Sequence, residues 1–231
     1  MKKFVLFQII LLSLFFSLTA ESVYSIGTNY IIFNEYSTYK NTKTDSHMNG
    51  FGFDFSYRHF SLSSEDSTDF VINADDGSIV YTNETNFQLG FWYSLNLNFP
   101  LSTKINMNGT LLELNRKDNL FWALIMDNIC GATCQFNFSK NFAADISVGP
   151  KIGFFYIDYD KLTNLTLGVA MELGGRVYFK NSKINRHNMG FGFGSKVSYD
   201  FYSIAQAYYP QDYSDYGVFS ITPFVSFMLK K

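Results

Sequence analysis

The sequence predicts an all-β protein, an antiparallel transmembrane β-barrel of about ten strands. Apolar and polar residues alternate with a period of two along most of the chain. Many alternating runs reach the roughly 9 to 11 residues that a tilted strand needs to cross a bilayer. The second face is small and rich in Gly and Asn. It carries few charges, whereas the solvent side of a soluble sandwich carries many.

The mature chain begins after a leader. Lys2 and Lys3 precede an apolar run from Phe4 to Leu18, then Thr19, Ala20 and Glu21. That basic, hydrophobic, small-residue order is the order of a secretory signal peptide. The run is short for a membrane-spanning helix. Residues 1–20 are therefore read as a signal peptide and 21–231 as one barrel domain. No Cys follows the run, so a lipid-modified N-terminus is not expected.

The clearest strand runs from Phe87 to Phe99. Phe87, Leu89, Phe91, Tyr93, Leu95, Leu97 and Phe99 share one face, and Gln88, Gly90, Trp92, Ser94, Asn96 and Asn98 the other. Phe51, Phe53, Phe55 and Tyr57 oppose Gly52, Asp54, Ser56 and Arg58 in the same way. So do Met189, Phe191, Phe193, Val197 and Tyr199 against Gly190, Gly192, Lys196, Ser198 and Asp200. Further strands read at about 24–34, 104–114, 119–138, 142–158, 163–180 and 216–229. Within 119–138 one phase holds from Leu120 through Trp122, Leu124 and Met126 to Phe136 and Phe138, which favours one strand over a hairpin. Aromatics such as Phe99, Phe142, Tyr156, Phe179 and Tyr202 lie at strand ends, where the interfacial girdles of a barrel belong.

Bacterial single-chain barrels have an even number of strands. Tight turns are expected at Pro100 to Thr103 and Ser139 to Asn141 on the periplasmic side, and an extracellular loop at 203–216. Parity then requires a tenth strand between 61 and 77, supplied by Phe70 and Ile72 with a turn at Asp75, Asp76 and Gly77. The count falls to eight if a weak segment is a loop.

After the leader, no stretch is continuously apolar for long enough to be a membrane-spanning helix. The formal net charge of −2 and the absence of clustered basic residues exclude a nucleic-acid partner. Cys130 and Cys134 lie about 13 Å apart if their segment is one extended strand, beyond disulfide reach. They also lack the second pair or nearby His of a metal site. No motif implies a cofactor.

The phasing sends Asp54, Arg58, Asp127, Asp145, Lys151, Glu172, Arg176, Lys196 and Asp200 to the interior. Charges of both signs in a narrow lumen read most simply as an ion-paired plug. A small-solute or ion pathway is the alternative.

The last strand, with Phe219, Ile221, Val225 and Phe227 in one phase, resembles the closing strand of the small bacterial outer-membrane barrels of the OmpA and OmpX type. The likeness covers nearly the whole mature chain. This chain departs from it by continuing through Met228 and Leu229 to Lys230 and Lys231. The resemblance implies residence in the bacterial outer membrane, with its lipid as surrounding partner. His59-Phe60-Ser61 resembles the catalytic pair of outer-membrane lipid A deacylases. Here, however, Leu62 follows where that motif has Asn, the pair is early, and no acidic partner is evident. The expected role is therefore non-enzymatic, either structural or in contact with host or environmental surface ligands. The expected contact surface is the Tyr-rich loop bearing Tyr208, Tyr209, Tyr213 and Tyr216.

Overall fold

The computed structural model describes residues 21–63, 69–72, 79–82, 87–115, 123–139, 141–157, 162–179, 188–204 and 212–230. The expected leader at 1–20, the Asp75-Asp76-Gly77 turn, and Tyr208 and Tyr209 lie outside these residues. The strands are β1 Glu21–Tyr39, β2 Thr42–Ser63, β3 Asp69–Ile72, β4 Ile79–Thr82, β5 Phe87–Met107 and β6 Thr110–Asn115. They continue as β7 Ala123–Ser139, β8 Phe142–Ile157, β9 Leu162–Phe179, β10 Asn188–Ser203 and β11 Tyr213–Lys230.

Eight of these close into a ring. The order β2-β1-β11-β10-β9-β8-β7-β5 is antiparallel throughout, and pairing of β2 with β5 completes the circle. The first and last strands pair from Val23↔Lys230 to Tyr39↔Tyr213, so both ends of the barrel domain lie at one end of the barrel, the terminal end. Every ring strand has two neighbours, which leaves no open edge in the wall.

Eight strands replace the expected ten for two local reasons. The segment around Phe70 and Ile72 is the short strand β3, which pairs only with β4 as a separate two-stranded sheet and does not enter the wall. The second reason is that the expected turn at Pro100 to Thr103 is absent, because β5 runs straight through it. Gly50 pairs with Pro100 and Asn49 with Ser102, so Leu101 is the extra residue of a bulge. A bulge accommodates a proline that cannot donate to the ladder. It also resets the phase, so Lys104 is exposed and Thr103 is buried.

The expected strand at 104–114 is in fact a hairpin. Met107 pairs with Thr110, and Asn108 and Gly109 take positive φ of 49° and 90°. Asn-Gly is the preferred pair for a two-residue type I′ turn, a signal the period-two reading passes over. The turn between β1 and β2 is built alike, with φ of 46° at Lys40 and 68° at Asn41. At the terminal end, β7 turns into β8 where the backbone N–H groups of Asn141 and Phe142 donate to Ser139 Oγ at 3.3 and 3.1 Å. β7 itself is one unbroken strand.

The outer wall is an apolar belt. Phe51, Phe53, Val148, Val169, Leu173, Phe191, Phe193 and Val225 are each about half exposed. Phe138 with Phe142, and Phe191 with both Phe179 and Phe227, form ring contacts of 5.5 to 6.0 Å near the terminal end. Among the described residues, exposed charged side chains gather at the distal end: Lys40, Lys43, Asp45, Lys104, Glu113 and Asp215. A polar group within the belt is satisfied locally, as Tyr93 Oη donates to Asn128 Oδ1 at 3.0 Å.

Leu95 lies on the belt side of β5. Leu95→Arg should destabilise the protein by about 2 to 4 kcal/mol near the midplane. Thr110→Arg, exposed beyond the belt, should stay within about 0.5 kcal/mol. Urea titrations of folding into lipid vesicles measure both. Asn96→Arg is no mild control, because Asn96 is 1% exposed and its Oδ1 already accepts from Lys196.

Candidate functional site

The interior is the largest concentration of chemistry in the chain. Inward positions follow from strand phase: even numbers on β2, β9, β10 and β11, odd numbers on β7 and β8. Asp54, Arg58, Asp127, Asp145, Lys151, Glu172, Arg176, Lys196 and Asp200 all point into the lumen, and none is more than 3% exposed.

Register brings them together in two groups. Nearer the terminal end, Arg176 grips Asp145 with two parallel hydrogen bonds, Nε to Oδ1 at 2.9 Å and Nη2 to Oδ2 at 2.7 Å. Arg176 Nη2 also reaches Glu172 Oε1 at 2.9 Å. Arg58 crosses from β2 to place Nε 2.8 Å from Asp145 Oδ2 and to donate to Glu172. Lys196 donates to Asp54, to Ser94 Oγ at 2.7 Å and to Asn96 Oδ1 at 2.8 Å, and lies 3.7 Å from Glu172 Oε2. Three carboxylates thus meet three cations.

The second group is nearer the distal end. Lys151 Nζ lies 3.0 Å from Asp127 and 3.1 Å from Asp200, and donates to Ser198 Oγ at 2.9 Å. Thr166 Oγ1 donates to Asp200 Oδ2 at 2.7 Å. Asp127 Oδ1 and Asp200 Oδ1 face the Lys151 ammonium as ion partners only, without a hydrogen bond, so the charge of Lys151 is what compensates their burial.

Glycine makes room for the arginine pair. Gly174 lies opposite Asp145, and a Cβ there would sit 2.6 Å from Asp145 Oδ1. Gly192 lies opposite Arg176, and a Cβ there would sit 2.8 Å from its Nη1.

Apolar clusters bound the charged layers at both ends. Val23, Phe60, Ala143, Tyr178 and Met228 close the terminal side. Ile31, Phe33, Met48, Ile125, Phe155, Tyr216 and Val218 close the distal side with Ala123. Phe33 and Phe155 come from opposite walls and stack with centroids 5.5 Å apart. Trp92, Ile129 and Ala170 form a smaller cluster.

Tyr216 corrects the expected contact loop. It continues the inward phase of Val218 and Ser220, is 8% exposed, and its Oη accepts from Asn164 Nδ2 at 3.1 Å. Tyr213 opens β11 and is part of the wall. The loop reading grouped these residues by composition, whereas the even-numbered phase of β11 extends back to 216.

His59 is buried, and its Nδ1 lies 3.3 Å from Ser22 Oγ on the neighbouring strand, while Ser61 is exposed. Cys130 and Cys134 are free thiols on the outer face of β7. Among the described residues, no grouping of three or more His, Cys, Asp or Glu side chains has metal-holding geometry.

A closed antiparallel ring with an apolar belt outside and polar side chains inside defines a class, the small transmembrane β-barrels of the bacterial outer membrane. The chain has the architecture of this class. Similar solved structures include Ail, the attachment invasion locus protein of Yersinia pestis, in complex with the heparin analogue sucrose octasulfate. It is 13% identical, with a TM-score of 0.38, over 91% of this chain and 99% of that one. Neisserial surface protein A is 7% identical, with a TM-score of 0.42, over 88% and 95% of the two chains. The outer membrane protease OmpT from Escherichia coli is 8% identical, with a TM-score of 0.41, over 93% and 97%. No family model matches the chain, and no curated protein does.

Removing one partner from a buried ion pair costs about 3 to 5 kcal/mol. Asp145→Asn should destabilise by that amount in folding titrations, because Arg58 and Arg176 both lose a counter-charge. Adding Arg176→Met to Asp145→Asn should cost less than the sum of the single changes, and a double-mutant cycle reads that coupling.

Proposed function

We propose that the protein is a non-enzymatic surface protein whose barrel is a sealed anchor and whose distal hairpins present a contact surface to host or environmental molecules. The observation that carries this reading is the filled lumen. Ion-paired layers lie between two apolar clusters, one of them closed by the stacked Phe33 and Phe155 rings. A ring of eight strands encloses little more room than its inward side chains fill.

With both ends of the barrel domain on the periplasmic side, the distal end faces outward. The β1–β2 and β5–β6 hairpins then carry Lys43, Asp45, Lys104, Glu113 and the Asn108-Gly109 turn beyond the lipid. Since Tyr216 turns inward, these hairpins supply contact surface in addition to the loop with Tyr208 and Tyr209. Lys40 Nζ, 3.5 Å from Asp212, ties the first hairpin to the start of β11.

Single-channel recording on folded, reconstituted protein should give no stable conductance on the scale of general porins. Persistent large currents, with ion selectivity changed by Glu172→Gln, would make a channel the better reading. Tags inserted after Asn108 or at Tyr209 should label on intact cells, and one after Asn141 should not. Reversed labelling would invert the orientation. Incubation with purified lipid A should release no fatty acid.

A further inference from the structure

The register sets a row of polar side chains against the distal apolar cluster, inside the lumen. One transverse row runs from Phe155 on β8 through Ile125 on β7, Asn98 on β5 and Gly52 on β2 to Asn29 on β1. It begins in two members of the distal cluster and ends in two amides on either side of a glycine. The next inward row toward the terminal end holds Asp127, Asn96 and Asp54. Residues two apart on a strand share a face at a spacing of roughly 6.6 Å, so the amides stand directly beside this charged row.

The two amides converge on one point. A Cβ on Gly52 would sit 2.5 Å from Asn98 Oδ1 and 2.6 Å from Asn29 Oδ1, so both oxygens lie over the glycine. They are no farther apart than those two distances laid end to end. Asn98 is 0% exposed and Asn29 4%. Among the described residues, neither polar atom of the Asn98 side chain has a hydrogen-bond partner, and neither does Asn29 Oδ1. Asn29 Nδ2 donates to the Phe53 carbonyl at 3.4 Å, which fixes the orientation of that amide. Turning the Asn98 amide over would offer Asn29 Oδ1 a donor but would leave Asn98 Oδ1 without one. Buried acceptors in this position are costly unless something supplies positive charge or a proton to them.

The charge balance points the same way. In the terminal-side group Asp54, Asp145 and Glu172 meet Arg58, Arg176 and Lys196, three against three. In the distal group Asp127 and Asp200 share a single cation, Lys151. The nine buried lumen charges therefore carry one negative charge in excess, beside two amide oxygens that lack donors. An uncompensated charge in a narrow interior is expensive. The occupant that suits this layer carries one positive charge and takes oxygen ligands. An alkali-metal ion does both. A water molecule would leave the charge excess untouched, and a divalent ion would overshoot it while calling for about six or more oxygens.

We propose that the lumen holds one alkali-metal cation, ligated by Asn29 Oδ1 and Asn98 Oδ1 over Gly52. The excess negative charge of the group formed by Asp127, Asp200 and Lys151 is its counter-charge. The amide carbonyl dipoles replace part of the ion's hydration shell, as carbonyl oxygens do in ion-selective sites. Ile125 and Phe155, in the same row, cover the site from the distal side. The ligands come from β1 and β5, on either side of β2, so the site forms only when these strands pair. The ion is thus structural, bound by the folded barrel and not by the unfolded chain. It is independent of what the distal hairpins contact.

The test is equilibrium folding of the full barrel into uncharged lipid vesicles, with NaCl replacing choline chloride at constant ionic strength. Na+ should raise the urea midpoint along a saturating curve, and a concentration about one hundred times the dissociation constant should shift the folding equilibrium about a hundredfold. Asn98→Leu, which keeps the bulk and removes both polar atoms, should abolish the Na+-dependent shift. Asn29→Ala is an independent second variant and should reduce the shift in the same way. Should neither variant fold, crystals of the wild-type barrel refolded in Tl+ decide the matter by an anomalous peak between Asn29 and Asn98. Equal midpoints in Na+ and choline overturn the proposal and leave water as the occupant. A Na+ shift that persists in folded Asn98→Leu, or a Tl+ peak elsewhere in the lumen, overturns the assignment of the site.

Discussion

The structure depends on the pairing of β1 with β11. In a hydrocarbon layer each unpaired backbone N–H or C=O costs several kcal/mol, so a sheet persists there only if it has no edge. The ladder from Val23↔Lys230 to Tyr39↔Tyr213 supplies that closure along nearly the full length of both strands. Once the ring is closed at eight strands, its width is set. The lumen chemistry follows from that width.

A narrow lumen forces opposite walls into contact. Arg58 on β2 meets Glu172 on β9, and Lys196 on β10 meets Asp54 on β2, although neither pair lies on adjacent strands. Such contacts act as cross-braces, and their charges persist because each has partners. Gly174 and Gly192 matter for the same reason: space inside the ring is short enough that one Cβ would strike the Arg176–Asp145 pair. The apolar clusters at either end keep water from the charged layers and strengthen the pairing.

The wall and its distal extension use the same strands for different environments. β5 shows how. Below its bulge it joins β2 to β7 in the closed ring, and above the bulge it joins β2 to β6 in a sheet beyond the ring. One inserted residue thus marks the change of neighbour and turns Lys104 outward beside His47. The hairpin and the lipid belt are consecutive stretches of one ladder.

The inward or outward direction of nearly every side chain was legible in the sequence, because the period of two is a property of the extended backbone alone. That is why Glu172, Arg176 and Lys196 could be assigned to one face without knowing their partners, and why Leu95 and Asn96 separate cleanly. Local chemistry also marked some turns, such as Ser139 to Asn141. Asn108-Gly109 carried its own signal, but a reading by alternation ran across it. Pro100 looked like a terminator because its missing N–H is a local fact, whereas the bulge that absorbs it requires β2 alongside. Only the tertiary structure decided the strand count, since closure depends on which strands meet across long sequence separations. It alone placed Tyr216 among the distal cluster and Asp145 between two arginines. Those relations depend on register and barrel width, and neither is written in any one segment.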